Sequence, residues 1–152
     1  MKLSKRGEYA LKAMLMLGER YGRGIVQLQE IAKQEHIPLK FLESIMADLK
    51  RARIVTSTKG RAGGYELSRD PREIAIGWIV RVVDGPLAPI SNRNEIEKML
   101  QSARRHQALY EMLLKVRDSV SEILDKTTIS DLIEREQELN EKRTGGFVMA
   151  GI

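Results

Sequence analysis

The sequence predicts a mainly α-helical protein with one small β-hairpin. Three observations carry that prediction. Apolar residues recur at three- and four-residue steps along most of the chain, the periodicity of helices that bury one face. The period shortens only once, at IVTST (54–58) and GYELS (64–68), where β-formers flank a glycine-rich connection. GPLAPIS (85–91), with two prolines and a glycine, separates this first part from a helical extension. The expected layout is a unit over 1–84, a linker over 85–91, a helical region over 92–134 and a tail over 135–152.

The elements follow in order. Residues 5–20 carry Tyr9, Leu11, Ala13, Met14, Leu15, Met16 and Leu17, dense enough for a mostly buried helix, which Gly22 and Gly24 stop. LQEIAKQE (28–35) sets Leu28, Ile31 and Ala32 on one face of a second helix. Pro38 suits the first position of a third, where its missing N–H costs nothing. That helix carries Phe41, Leu42, Ile45, Met46 and Leu49 and should end near Ala52. After the hairpin, Asp70, Pro71 and Glu73 read as N-cap, first position and reach-back glutamate. They would open the apolar helix IAIGWIVRVVDG, which Gly85 ends.

Beyond the linker lie a polar helix near 93–103 and a longer one near 106–126. Leu109, Leu113, Val116, Val120 and Ile123 alternate four- and three-residue steps on the latter, a coiled-coil-like seam of about two heptads. Thr128 and Asp131 read as a capping box for a short final helix. The tail TGGFVMAGI is glycine-rich, with an apolar end that could dock or stay disordered.

At 152 residues the chain suits one domain, or one small domain with an extension. No run approaches the roughly 18 apolar residues of a membrane span, and the N-terminus lacks a signal-peptide cleavage site. A cytoplasmic location without a membrane partner is expected. The absence of cysteine removes disulfides and thiolate metal sites. Net charge is +5, unevenly spread. Residues 1–72 hold 15 Lys and Arg against 8 Asp and Glu, while 73–152 hold 11 against 13. The basic half suits a polyanion partner, and a solvated basic surface is the alternative.

Helix, helix, turn, helix, hairpin is the order of a winged helix-turn-helix. In that architecture the motif's second helix enters the major groove N-terminus first, and the hairpin lies on the flanking backbone or minor groove. A flexible tip with Lys59 and Arg61 among glycines suits phosphate contact. On the recognition helix the exposed early positions are Leu39, Lys40, Glu43 and Ser44. Lys40 can meet a phosphate or a guanine. Glu43 can accept from cytosine N4 or pair with Lys40 or Lys50, and both readings stand.

The segments MKLSKRGEYALKAML, LQEIAKQEHIPLKFLESIMADLKRARIVTSTKGRAGGYELSRDP and IVRVVDGPLAPI resemble the Rrf-two family of bacterial transcription regulators, of the IscR, NsrR and CymR type. The resemblance is strong over residues 1–90 and weaker through TTISDL at 127–132. Its ordered signatures are S-x-R-G-x-Y, F-L-E, G-G-Y-x-L and D-G-P. It implies a homodimer, usually a repressor, on a palindromic operator in double-stranded DNA, paired through the long helix and its seam. It also implies phosphate contacts from Lys2, Ser4, Lys5 and Tyr9, base reading by the recognition helix including Glu43, and wing contacts from Ser57, Lys59 and Arg61.

Many members hold an iron–sulfur cluster on three cysteines after the linker. Here that region reads APISNRNEIEKMLQSARRHQALYEML, so no cofactor of that kind is expected. His106 and His36 read as a surface residue and a turn residue. The cysteine-free pattern is most similar to CymR-like repressors of sulfur and cysteine metabolism, which implies an enzyme of cysteine synthesis as co-regulator.

An enzyme is not expected. Two histidines and no clustered acid–base pattern leave little for catalysis, and the wing glycines precede a strand and lack the G-K-[ST] of a phosphate-binding loop. Two alternatives remain. One is a winged helix used as a protein–protein module. The other is a regulator sensing a metal or small ligand where the helical arm meets the first domain. The linker is the expected hinge between them.

Overall fold

The computed structural model describes residues 2–87 and 92–149. Its elements are α1 (Lys5–Glu19), α2 (Leu28–Gln34), α3 (Leu39–Arg51), β1 (Val55–Thr58), β2 (Gly64–Leu67), α4 (Ile76–Asp84), α5 (Arg93–Ser102), α6 (Gln107–Lys126) and α7 (Ile129–Met149). The fold is mainly helical with one two-stranded antiparallel hairpin, as expected. In the hairpin Val55 faces Leu67 and Thr58 faces Gly64.

One core runs through the first unit. The apolar face of α1 (Ala10, Ala13, Met14, Leu17) packs with Leu42, Ile45, Met46 and Leu49 of α3 and Ile76, Ile79 and Val80 of α4. Ile54, Val55 and Leu67 close it beneath the hairpin. Full burial of each such side chain stabilises the fold by about 1.5–3 kcal/mol. A third extended segment joins the hairpin: Val26 and Tyr65 exchange backbone hydrogen bonds of 2.8 Å in both directions. Gly64 permits this approach, since a Cβ there would overlap the Val26 carbonyl.

Four local expectations change. Pro38 is the N-cap of α3 rather than its first residue, with extended ψ of 130°. Asp70 caps Arg72 N–H at 2.9 Å and Pro71 follows it, but the turn Pro71–Glu73 is a single 3₁₀ turn. Helix does not continue because Ile74 is extended and accepts from Ile129 N–H at 3.0 Å, while Ile76 N–H donates to Thr127 at 2.8 Å. This long-range pairing outcompetes the local helix start, and α4 begins at Ile76.

The final helix is not short. Thr128 and Asp131 form the reciprocal capping box, at 2.8 and 3.1 Å, and α7 then runs 21 residues to Met149. The Thr128 backbone N–H, and after it the Thr128 side chain, hold the Asp131 carboxyl below the usual carboxylate range. Most of the tail therefore continues the helix, with 150–152 outside the described residues. Ile129, beyond the expected linker, is fully buried in the core of the first unit.

The arm is a helical pair, α5 and α6. Ile96 is buried in it, and Arg93 joins Glu97 at 2.8 Å and Asp118 at 2.9 Å. The base of α6 is clamped to α4. Arg81 gives a two-pronged bond to Asp125 at 2.5 and 2.8 Å, lowering the Asp125 pKa and raising its own. Gly77 makes room, since a Cβ there would overlap the Asp125 carboxylate. The arm is thus held at its base by contacts other than the linker. Of the expected hinge, residues 88–91 lie outside the described residues.

Candidate nucleic-acid interface

The candidate site is built on α3, on the start of α1 and on the hairpin. Burying Leu42, Ile45, Met46 and Leu49 turns the opposite face of α3 outward. Lys40, Ser44, Ala47 and Arg51 form one exposed ridge, and Leu39 and Glu43 are exposed beside it. All four early positions expected at the surface are there. Glu43 makes no ion pair among the described residues, so of its two readings the pairing with Lys40 or Lys50 is not formed. The turn before α3 is tight: His36 has a left-handed backbone, φ 53°, and is exposed.

The wing tip carries Lys59 and Arg61, both exposed, around Gly60 at φ 109°. Neither makes an ion pair among the described residues. Gln27 donates to the Arg61 carbonyl at 3.3 Å and steadies the loop. Beneath the tip lies an open concavity of about 390 Å³, lined by Gln29, Lys50, Ser57, Thr58, Lys59 and Gly60 among others. Ser57 and Lys59 therefore share one surface with Lys50 of α3.

The start of α1 is more occupied than expected. Lys2 is exposed. Ser4 caps α1 through Gly7 N–H at 2.9 Å, donates its hydroxyl to Asp84, and donates its backbone N–H to Asp84 at 3.1 Å. The Ser4 hydroxyl is thus already committed within the fold. Lys5 pairs with Glu8 at 3.2 Å and sits 5.2 Å over the Tyr9 ring. Tyr9 in turn meets Phe41 edge-on, at 6.3 Å between centroids. Lys12 and Lys5 together hold the Glu8 carboxyl below its usual range.

Two residues escaped the sequence reading. Arg51 continues the Lys40–Ser44 ridge toward the helix end, and four-residue spacing could have found it. Arg6 joins Ser44, Asp48 and Val83, which only the tertiary structure brings together.

The arm seam is partly redrawn. α6 has no buried residue. Leu109, Val116 and Ile123 are exposed on it, at 49%, 45% and 65%, and Met112 joins them at 51%. Leu113 is half-buried, and Val120 packs against the core with Leu124. The exposed stripe is therefore Leu109, Met112, Val116 and Ile123, rotated slightly from the expected seam. The reason is the clamp to α4, which takes the Val120 side inward. His106 lies exposed before α6 with φ 68°.

The chain has been compared with known proteins. A family model named Rrf2, described as an iron-dependent transcriptional regulator, matches residues 3–135. The HTH-type transcriptional regulator CymR of Bacillus subtilis is 36% identical over 132 residues, covering 87% of this chain and 89% of that one. The HTH-type transcriptional regulator IscR of Sodalis glossinidius is 34% identical over 143 residues, covering 92% and 83%. The solved structure of CymR, the global cysteine regulator of B. subtilis, superposes with TM-score 0.76 at 32% identity, covering 89% and 98%. The structure of T. potens IscR gives 0.70 at 32% identity, covering 91% and 90%.

The relatives are regulators rather than enzymes. Iron held through cysteine thiolates does not fit this chain, which has no cysteine. Among the described residues no group of three His, Asp or Glu could hold a metal, and no helix is long and apolar enough to cross a membrane. A basic winged helix-turn-helix, a matched family model over most of the chain and regulators on both sides of the comparison lead to one conclusion: this chain belongs to the Rrf2 family of helix-turn-helix transcriptional regulators.

Proposed function

We propose that the chain binds a palindromic operator in double-stranded DNA as a homodimer and represses genes of sulfur or cysteine metabolism. One observation carries the DNA reading. The polar ridge of α3 and the basic tip of the wing both stand exposed, and Lys50 of α3 shares one open concavity with Ser57 and Lys59 of the wing, as a major-groove helix flanked by a backbone-tracking hairpin requires. In this reading Lys40, Glu43, Ser44 and Arg51 face base edges and nearby phosphates. Lys2, Lys5, Tyr9, Ser57, Lys59 and Arg61 hold the flanking backbone.

Pairing of two chains rests on α6. A 20-residue helix with no fully buried residue, which lines up Leu109, Met112, Val116 and Ile123 on its exposed side, needs a partner for that stripe. Pairing there fixes the distance between two recognition helices, and so the half-site spacing. Similarity to CymR supports the metabolic assignment, with an enzyme of cysteine synthesis as co-regulator. With no thiolate to hold a cluster, the signal reaches this chain without one. A second reading is favoured by an apolar cavity of about 340 Å³ at the junction of α1, α4 and α6, lined by Leu3, Leu11, Ile76, Val80, Leu87 and Leu124. It would admit a small ligand there.

The test is selection of bound genomic fragments by the purified protein at two salt concentrations. The expected result is an enriched palindrome near sulfur-metabolism genes. Salt-sensitive binding without sequence preference would count against the operator reading. Lys59→Glu with Arg61→Glu should abolish DNA binding, and a variant that binds as before points to a protein-docking wing.

A further inference from the structure

We infer that Arg6 is a positioning residue for sequence reading: its guanidinium sets α3 in place and fixes the recognition-helix Ser44 as a hydrogen-bond donor to DNA. One guanidinium on α1 reaches three acceptors on two other helices, α3 and α4. It donates to the Val83 carbonyl at 3.1 Å, to Ser44 Oγ at 3.0 Å and to Asp48 at 2.5 Å. Its side chain is 27% exposed and that of Asp48 24%, so the contacts are partly shielded from water.

Each contact has a physical reason. Val83 lies in the last turn of α4, where carbonyls lack helical partners and attract a cation. Asp48 supplies the opposite charge from the inner flank of α3. Ser44 then accepts from Arg6, and among the described residues its own hydroxyl proton has no acceptor. Such a hydroxyl is oriented to give a proton outward. It suits guanine O6 or N7, adenine N7 or thymine O4, and disfavours the cytosine amino group. A lysine cannot reproduce this, because one ammonium does not span three acceptors on α3 and α4 as a planar fork does.

The inference rests on the DNA reading above, and the experiment separates the two. A duplex is first selected by the wild-type protein. Affinities are then measured for it and for a scrambled duplex, at several salt concentrations, with Arg6→Lys, Arg6→Gln, Asp48→Asn and Ser44→Ala. Positioning predicts that Arg6→Lys and Asp48→Asn both weaken the selected duplex, by about 10- to 100-fold, while scrambled binding and the salt slope stay nearly unchanged. Ser44→Ala should add little to Arg6→Gln and should relax preference at one base pair.

A simple phosphate contact by Arg6 predicts the reverse. Arg6→Lys would then keep affinity, Arg6→Gln would weaken both duplexes alike and lower the salt slope by about one, and removing the Asp48 charge would leave binding unchanged or tighter. That pattern overturns the inference and leaves the DNA reading intact. Failure of the wild type to select any duplex overturns both. Asp48 also holds Arg51 through its other carboxylate oxygen, so Asp48→Asn is compared within an Arg51→Gln background, where it keeps the Arg6 charge and decides the matter even if the Arg6 variants unfold.

Discussion

Helices α3 and α6 are both amphipathic, yet their apolar faces meet different fates. In α3 Leu42, Ile45, Met46 and Leu49 are completely buried against α1 and α4. In α6 no residue is buried, and Leu109, Met112, Val116 and Ile123 stand in solvent. An apolar stripe states that a face must be covered, but not by what. For α3 the cover is the same chain, and for α6 we assign it to a second copy. Damage to α3 should therefore appear in the stability of one chain, and damage to α6 in association.

The largest effect expected on that comparison is Leu42→Ala. It leaves a cavity at the centre of the core and should cost about 2–5 kcal/mol, read by denaturant unfolding. Next is Val116→Glu, which places a charge in the α6 stripe. Sedimentation should show a monomer with unchanged helix content, and affinity for a selected duplex should fall by about 10-fold or more. A dimer that survives this change would break the comparison. Leu113 is a weaker test, because it is half-buried within the chain itself.

A smaller effect is expected at the joint between α1 and α4. Gly7→Ala would push a methyl into the Asp84 carboxylate and loosen its bonds to Ser4, costing about 1–3 kcal/mol in thermal unfolding.

The smallest effect concerns the clamp beneath the arm. Arg81 depresses the Asp125 pKa in the folded chain. A depressed carboxylate stabilises the fold above its unfolded pKa, and that contribution disappears as pH falls through the lower folded value. Acidification below about pH 4 should therefore weaken the clamp. Both partners are substantially exposed, so the change should be about 1 kcal/mol or less. Asp125→Asn should flatten the acid limb of stability against pH, and an identical profile would remove the clamp from the account.

Much of this architecture is legible in residue order. Helical spacing marks α1 to α4, the β-rich pair marks the hairpin, Gly85 marks the end of α4, and Thr128 with Asp131 marks the start of α7. The exposed set Leu39, Lys40, Glu43 and Ser44 follows from knowing which side of α3 is apolar. What escapes is whatever depends on a remote partner. Ile74 leaves the helix because residues 127–129 pair with it. The family resemblance implies a phosphate contact at Ser4, and only the fold shows that its hydroxyl is given to Asp84. Arg6 looks like one more basic residue until α3 and α4 converge on it.

The sequence by itself determined the local elements, the basic first half, the absence of thiolate ligands and the apolar stripes, because these depend on side-chain type and short spacing. The tertiary structure decided which stripe is covered by the chain, which polar groups are already spent, and how the arm is clamped. Those outcomes depend on contacts between residues as far apart as Ser4 and Asp84, or Gly18 and Ile129, whose meeting no local pattern encodes.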